Sequence, residues 1–291
     1  MTLSVSVHPI PILDSISGLA RRYDVWLTDI WGVMHNGLQP FPRAVEACQI
    51  FRQGGGVVIL ISNSPRPAET ARIQLREVGV TDDCYDSIAT SGDVTRQMIS
   101  AYKGKTIYHL GPERDLPIFD GLGVTLGSVE DSVIVVCSGL VDDETETPDD
   151  YAELLADIRK RNLPMICANP DLMVERGNRL LYCAGSLAKV YAELGGETIY
   201  GGKPHPPIYQ LAFNQAMAKK SGVSRQRILA IGDGLHTDIP GAAAAGIDSL
   251  FIASAVHVPG GSEGLADGAV LGELLAGSDA RPVAAMSGLA W

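Results

Sequence analysis

The chain has 291 residues, enough for two domains of ordinary size or for one large domain. Hydrophobic residues make up 46% of it and charged residues 20%, a composition typical of a compact globular protein and not of a disordered chain. The formal net charge of −11 gives no electrostatic basis for binding nucleic acid or an anionic membrane surface. We therefore expect neither of them as a partner.

The five cysteines are widely spaced, odd in number and without a C-x-x-C pair. This usage predicts reduced thiols in a cytoplasmic protein and no disulfide framework. Residues 1–13 contain no Lys or Arg and no long apolar stretch, which argues against a secretory signal. No apolar run approaches the ~20 residues that a membrane-spanning helix needs.

Short apolar runs alternate with amphipathic stretches along the chain, a pattern typical of βα units and a mainly parallel sheet. The apolar runs predict nine strands, at Val25–Asp29, Val57–Ser62, Thr106–Leu110, Val133–Cys137, Met165–Ala168, Leu180–Cys183, Thr198–Tyr200, Ile228–Asp233 and Ser249–Ala253.

Helix signals lie between many of these strands. Thr147 followed by Pro148 and two acidic residues is a typical helix start, and the apolar spacing from Tyr151 to Ile158 gives one buried face. Further helices are predicted from Pro207 to Lys220 and after Asp238.

Three predicted strands end on a polar residue, namely Asp29, Ser62 and Asp233. One carboxylate at a strand end is explained equally well as a helix cap. In open α/β sheets, however, ligands bind beyond the carboxyl ends of the strands. Three such ends, together with the polar cluster Gly202-Lys203-Pro204, favour a functional site.

The residue types at these positions suit one chemistry, metal-assisted phosphoryl transfer. A carboxylate can attack phosphorus only when the charge repulsion is cancelled, and Mg²⁺ does this while binding carboxylates and a phosphoryl oxygen. Asp233 and Asp238 bracket Gly-Leu-His-Thr, a spacing that can aim both acids at one cation. The Ser62 hydroxyl and the Lys203 ammonium can hold the remaining phosphoryl oxygens.

At these residues the chain resembles a known family. The run that begins at Asp29, Asp-Ile-Trp-Gly-Val-Met-His-Asn-Gly, is similar to motif I of the haloacid dehalogenase (HAD) superfamily. The other motifs follow in the family's order, as Ile61-Ser62-Asn63-Ser64, Gly202-Lys203-Pro204 and Gly232-Asp233-Gly234-Leu235-His236-Thr237-Asp238. The segment Asn169-Pro170-Asp171 resembles the class IIA branch, which contains NagD-type and p-nitrophenyl-phosphatase-like hydrolases.

The resemblance implies an α/β fold with a Rossmann-like, doubly wound parallel sheet as the core. The interval from Ser62 to Lys203, a separation of 141 positions, resembles a smaller α/β cap domain of the C2 type, inserted between motifs II and III. The predicted domains are therefore a core of residues 1–90 and 190–291 and a cap of residues 91–189.

The resemblance also implies a role for each matching residue. Asp29 would be the nucleophile that forms an aspartyl-phosphate, and Ser62 and Lys203 would bind the phosphoryl group. The implied Mg²⁺ ligands are Asp29, Asp233, Asp238 and the backbone carbonyl of Trp31. The implied substrate-binding residues are Asn63, Asn169 and Asp171.

Trp31 departs from the family pattern, because HAD phosphatases usually have an acid–base Asp two residues after the nucleophile. A backbone carbonyl can still bind metal there, but general acid–base catalysis, worth ~10²–10⁴-fold in rate, is lost. The leading hypothesis is thus a Mg²⁺-dependent phosphatase, slow or restricted to good leaving groups. A phospho-ligand binding protein without turnover and a metal-free dehalogenase are the alternatives.

The expected partner is a small phosphorylated metabolite, whose identity the motifs do not encode. The family resemblance is also compatible with a homodimer formed through the cap.

Overall fold

The computed structural model describes residues 10–176, 179–253 and 280–291, so residues 1–9 of the predicted non-secretory N-terminus lie outside it. The chain forms two compact units. The first comprises the described residues of Met1–Leu60, Val80–Ser87 and Ala216–Trp291, and the second comprises those of Ile61–Gly79 and Ile88–Gln215.

Helices and strands alternate along both units, which confirms the predicted α/β class. The α-helices are α1 (Ser17–Ala20), α2 (Pro42–Gln53), α3 (Ala68–Glu77), α4 (Ser91–Ile99), α5 (Ala152–Lys160), α6 (Ala184–Glu193), α7 (Pro206–Lys219) and α8 (Asp238–Ala245). The strands are β1 (Val25–Asp29), β2 (Val57–Ser62), β3 (Ser87–Thr90), β4 (Thr106–Leu110), β5 (Thr125–Leu126), β6 (Val135–Cys137), β7 (Met165–Cys167), β8 (Met173–Arg176), β9 (Arg179–Tyr182), β10 (Thr198–Tyr200), β11 (Ile228–Gly232), β12 (Asp248–Ile252) and β13 (Ala284–Met286).

The first unit is built on a six-stranded sheet in the order β13-β12-β11-β1-β2-β3. The ends of β2 and β3, from Ile61 and Ile88 onward, are counted with the second unit. All five residues of β1 and all five of β11 are buried, as expected for parallel strands covered on both faces. On one face the Trp26 ring stacks on Phe51 of α2, with ring centroids 3.9 Å apart.

The strand order of this sheet reverses between β1 and β11. From β1 the chain goes through β2 to β3 on one side, whereas β11, β12 and β13 lie in succession on the other. Strands β1 and β11 are parallel, with Thr28 opposite Ile231, so both end at the same sheet edge. A doubly wound sheet binds its ligands at such a switch point. The predicted doubly wound core is present, and Asp29 and Asp233 lie at its switch point.

The second unit contains a smaller, five-stranded parallel sheet in the order β10-β7-β6-β4-β5. Apolar side chains cover both of its faces. One core includes Leu155 of α5 and Leu187 of α6, and the other includes Ile99 of α4. The predicted domain boundaries stay predictions, but β10, which they assign to the core domain, pairs with β7 in this sheet.

Some elements differ from expectation. The predicted helix start at Thr147 is present and forms a capping box with Asp150, but its first turn is a 3₁₀ helix and α5 begins only at Ala152. The predicted strand Leu180–Cys183 is β9, which pairs with β8 in an antiparallel hairpin and not in a parallel sheet.

All five cysteines are buried and free. Within the described ranges, no helix combines the length and the apolar character needed to cross a bilayer.

Candidate active site

Three predicted metal ligands come together in the first unit. Asp29, Asp233 and Asp238 each offer a carboxylate oxygen, and these oxygens lie within 4.8 Å of one another. All three side chains are buried, with exposed fractions of 7%, 8% and 3%. Asp29 comes from β1, whereas Asp233 and Asp238 flank the loop between β11 and α8, so the fold joins two segments that are distant in sequence.

Asp29 and Asp238 are held in position by backbone hydrogen bonds at the ends of β1 and α8. Asp29 is the last residue of β1, and its Oδ1 accepts a hydrogen bond of 2.8 Å from the Ile30 N–H. Asp238 is the first residue of α8, where a negative charge is favoured by the helix dipole. Its Oδ2 accepts from the Gly234 N–H at 3.2 Å and from the Thr237 hydroxyl at 3.3 Å.

Glycines allow the backbone to approach these acids closely. A Cβ on Gly32, whose φ is +82°, would lie 2.2 Å from Asp233 Oδ2. A Cβ on Gly232 would lie 2.2 Å from Asp238 Cγ. These glycines belong to the predicted motifs, but the spacing of the sequence alone does not reveal that they pack against the acids.

The chemistry of this donor set fits Mg²⁺. Three carboxylates this close together repel one another, and burial removes the water that would screen them. A divalent cation relieves that repulsion, and carboxylate oxygens are the ligands that Mg²⁺ takes from proteins. Asp29, Asp233 and Asp238 would hold it, and the bound ion would neutralise charge on a phosphoryl oxygen.

Trp31 lies in the loop after β1 and packs within that loop. Its ring meets the ring of His35 edge-on, with centroids 5.0 Å apart, and a Cβ on Gly37 would lie 2.5 Å from Trp31 Cζ2. A backbone bridge from the Gly32 N–H to the His35 carbonyl, 2.9 Å long, fixes the turn. The indole thus takes the place in the loop where the family pattern has an acid.

His35 is a structural neighbour in this loop. Burial lowers its pKa to about 4, so the ring is neutral near pH 7. In that form its Nδ1 accepts a hydrogen bond of 2.8 Å from the Gly37 N–H. The ring therefore acts as a hydrogen-bond acceptor that holds the turn on which Trp31 rests.

The second unit brings together three other predicted site residues, Asn63, Asp171 and Lys203. The Asn63 side chain bonds both ways to the backbone of Lys203: its Oδ1 accepts from the Lys203 N–H at 2.6 Å, and its Nδ2 donates to the Lys203 carbonyl at 3.1 Å. The same Nδ2 donates to Asp171 Oδ1 at 2.8 Å. Asn63 therefore fixes the backbone that carries Lys203, a role that the sequence analysis did not identify.

Two further predicted site residues of the second unit, Ser62 and Asn169, lie where a loop begins. Ser62 ends β2, and its buried hydroxyl accepts from the Ser64 N–H at 3.1 Å. Asn169 follows β7, and its Oδ1 accepts from the Asp171 N–H at 3.0 Å, which makes a tight turn. Lys203 is buried, with 2% of its surface exposed.

Comparisons with known proteins identify the family. The model of the haloacid dehalogenase-like hydrolases matches residues 26–125, and a second, HAD-hydrolase-like model matches residues 200–268. A haloacid dehalogenase-like hydrolase of known structure from Brucella suis 1330 is 45% identical. The match covers 95% of this chain and 99% of that one, with a TM-score of 0.85. The chain belongs to the haloacid dehalogenase-like hydrolase family.

Relatives of this HAD hydrolase with assigned activities are phosphatases. The D-glycerol 3-phosphate phosphatase of Mycobacterium tuberculosis is 29% identical over 83% of this chain and 66% of that protein. The ribonucleotide monophosphatase NagD of Escherichia coli K12 is 25% identical over 79% of this chain and 87% of that protein. The resemblance to the NagD-like branch, predicted from the motifs, is thereby confirmed.

Proposed function

We propose that this HAD hydrolase is a Mg²⁺-dependent phosphatase that hydrolyses a small phosphorylated metabolite through an aspartyl-phosphate on Asp29. One observation carries the proposal: three buried carboxylates have oxygens within 4.8 Å of one another. The phosphatase names of relatives that align over most of the chain support the reaction class. The cytoplasm, where free thiols such as its five cysteines persist, is the location that we propose.

In the proposed reaction, a carboxylate oxygen of Asp29 attacks phosphorus and the ester P–O bond breaks. An alkoxide leaving group must gain a proton as it departs, whereas a stable aryl oxide can leave as the anion. Water then attacks the aspartyl-phosphate, which releases inorganic phosphate and regenerates the carboxylate. Ser62 and Lys203 would bind the phosphoryl oxygens, and the Asn63 bonds to the Lys203 backbone support that assignment.

Trp31 determines which substrates the proposed enzyme turns over quickly. An indole cannot donate a proton to the leaving group or accept one from water. A nitrophenolate leaves without protonation, whereas an alkoxide does not. We therefore expect aryl phosphates to be hydrolysed faster than alkyl phosphates, with a low rate on the latter.

The proposed function is tested by phosphate release from a panel of phosphorylated metabolites and p-nitrophenyl phosphate, with Mg²⁺ and with EDTA. Multiple turnovers that stop in EDTA are the expected result. Binding of orthophosphate without turnover would instead indicate a phospho-ligand binding protein. Turnover of a haloacid in EDTA would indicate the metal-free dehalogenase, and either result would contradict the phosphatase.

The metal site has its own test, the double variant Asp233→Asn with Asp238→Asn. The double variant keeps the size of both side chains but removes two of the three charges. We therefore expect the Mg²⁺ affinity, measured by calorimetry, to fall more than ~100-fold. That loss exceeds the one usually seen when a residue that only contacts a metal ligand is replaced. The matched control is Asp14→Asn, an exposed acid of the same unit. An unchanged Mg²⁺ isotherm in the double variant would contradict the assignment.

A further inference from the structure

The loop that carries Lys203 joins β10 to α7 and comprises residues 201–205. It begins with two glycines. A Cβ on Gly201 would lie 2.9 Å from Val94 Cγ1, and a Cβ on Gly202 would lie 2.4 Å from Asn63 Oδ1. The neighbouring side chains thus leave no room for a larger residue at either position. Because glycine restrains the backbone least, this loop needs other contacts to keep a single conformation.

The position of this loop matters because it determines where the Lys203 ammonium group lies. Lys203 is 2% exposed, so its ammonium cannot turn toward water when the backbone shifts without losing its buried contacts. Asn63 holds the N–H and the carbonyl of Lys203 from one side. A displaced ammonium would miss the phosphoryl oxygens, and an error of about 1 Å in such a contact can lower a rate about 100-fold.

The rings of Tyr200 and His205 stack across the ends of this loop. Their centroids are 4.6 Å apart and their planes differ by only 6°. Tyr200 is the last residue of β10 and His205 directly precedes α7, so the stack joins the strand to the helix. The His205 N–H also donates to the Gly202 carbonyl at 2.9 Å. This bond closes a turn whose central residues are Lys203 and Pro204.

Tyr200 is the more firmly held member of the pair. Its backbone is paired with Cys167 of β7 in the five-stranded sheet. Its ring packs against the core that contains Leu155 and Leu187. The half-buried His205 ring therefore rests on a side chain that the sheet already fixes.

The stacked pair contributes planar surface and not charge. Burial lowers the pKa of His205 and raises the pKa of Tyr200, so both rings are neutral near pH 7. A protonated imidazole would place a second positive charge two residues from Lys203, where like charges repel. Parallel neutral rings in contact attract each other beyond the area that they bury.

We propose that Tyr200 and His205 are positioning residues, whose stacked rings clamp the loop that carries Lys203 and so fix its ammonium group for binding the phosphoryl oxygens. This inference rests on the proposed function, and it adds two residues to the phosphate-binding site.

The test is a double-mutant cycle on kcat/KM for p-nitrophenyl phosphate, with Tyr200→Leu, His205→Ala and the double variant. Leu at position 200 keeps apolar bulk against the core but has no planar face. Each single variant should lower kcat/KM about 10- to 100-fold, and the double variant should lose no more than the larger single loss, because the stack is lost only once. Losses that multiply, or an unchanged kcat/KM, would overturn the inference.

His205→Phe and Tyr200→Phe are the matched controls, because each keeps an aromatic ring. Both should retain kcat/KM within about threefold of the wild-type value. Low activity in His205→Phe would assign the effect to the imidazole itself and overturn the clamp. A lower Tm of His205→Ala with unchanged kcat/KM would show that the stack only stabilises the fold, which would also overturn it. Circular dichroism confirms that each variant is folded, and His205→Leu replaces His205→Ala if the latter unfolds.

The outcome stays separable from that of the proposed function. If the wild-type protein hydrolyses no phosphate ester, the phosphatase proposal fails, and calorimetry with inorganic phosphate in the presence of Mg²⁺ then tests the clamp. Weaker phosphate binding by His205→Ala, restored in His205→Phe, would support it. Equal binding by these two variants and the wild-type protein, or no binding to the wild-type protein, would overturn it.

Discussion

Replacing Asp29 by Asn is expected to abolish phosphate release, with kcat lowered by about 10⁴-fold or more. The amide is not a nucleophile toward phosphorus, so the first step of the proposed reaction has no attacking oxygen. The substitution keeps the shape of the side chain and an oxygen that can accept the 2.8 Å bond from the Ile30 N–H. Phosphate release from p-nitrophenyl phosphate in the presence of Mg²⁺ measures the effect.

The fold of the Asp29→Asn variant is expected to persist, because the substitution keeps the size of the side chain and removes one of three buried charges that repel one another. Thermal unfolding in EDTA should therefore give a Tm equal to that of the wild-type protein or higher. Asp14→Asn serves as the control for a change of one charge in the same unit. Full residual activity in Asp29→Asn, with the fold intact, would refute the assignment of the nucleophile.

The strands that carry the site were predictable because local composition defines them. Strands β1, β2, β4 and β10 have the bounds predicted from their apolar runs. The missed strands β3, β5, β8 and β13 are short strands at sheet edges, and β5 is exposed. A strand buried on one side or composed of small residues lacks the long apolar run that identifies a central parallel strand.

Strand pairing was harder to predict than strand position. The apolar character of β9 predicts a strand, but its antiparallel pairing with β8 depends on a neighbour that carries a weak signal of its own, Met-Val-Glu-Arg. In the same way, the apolar pattern places β10 correctly, yet its membership of the five-stranded sheet follows from packing between segments distant in sequence. The periodicity of a sequence indicates which face of a strand is buried, whereas the strand with which it pairs depends on tertiary packing.

In the candidate site, too, local features of the sequence were predictable and contacts between distant residues were not. Asp29 could be singled out because it ends a buried strand, Asp233 because it directly follows one, and Asp238 because it opens a helix. The contact from Asn63 to Asp171 joins residues 108 positions apart, and no local pattern encodes it.

Replacing Trp31 by Asp is expected to raise the hydrolysis of alkyl phosphates by roughly 10²–10⁴-fold, the usual contribution of a general acid and base. The substitution supplies the proton donor that an alkoxide leaving group needs and a base for the attacking water. Hydrolysis of p-nitrophenyl phosphate should change far less, because nitrophenolate leaves without a proton. The ratio of kcat for the two kinds of ester is the measurement.

Trp31→Asn separates the new acid from the lost indole. Both substitutions empty the space beside Gly37 and remove the edge-on contact with His35, so any loosening of the loop is common to them. Only Asp can exchange a proton, so only Asp should accelerate alkyl ester hydrolysis. Equal rates on alkyl phosphates in Trp31→Asp, Trp31→Asn and the wild-type protein would mean that another group already protonates the leaving oxygen. The absence of an acid at position 31 would then not limit the rate, and the restriction to good leaving groups would be wrong.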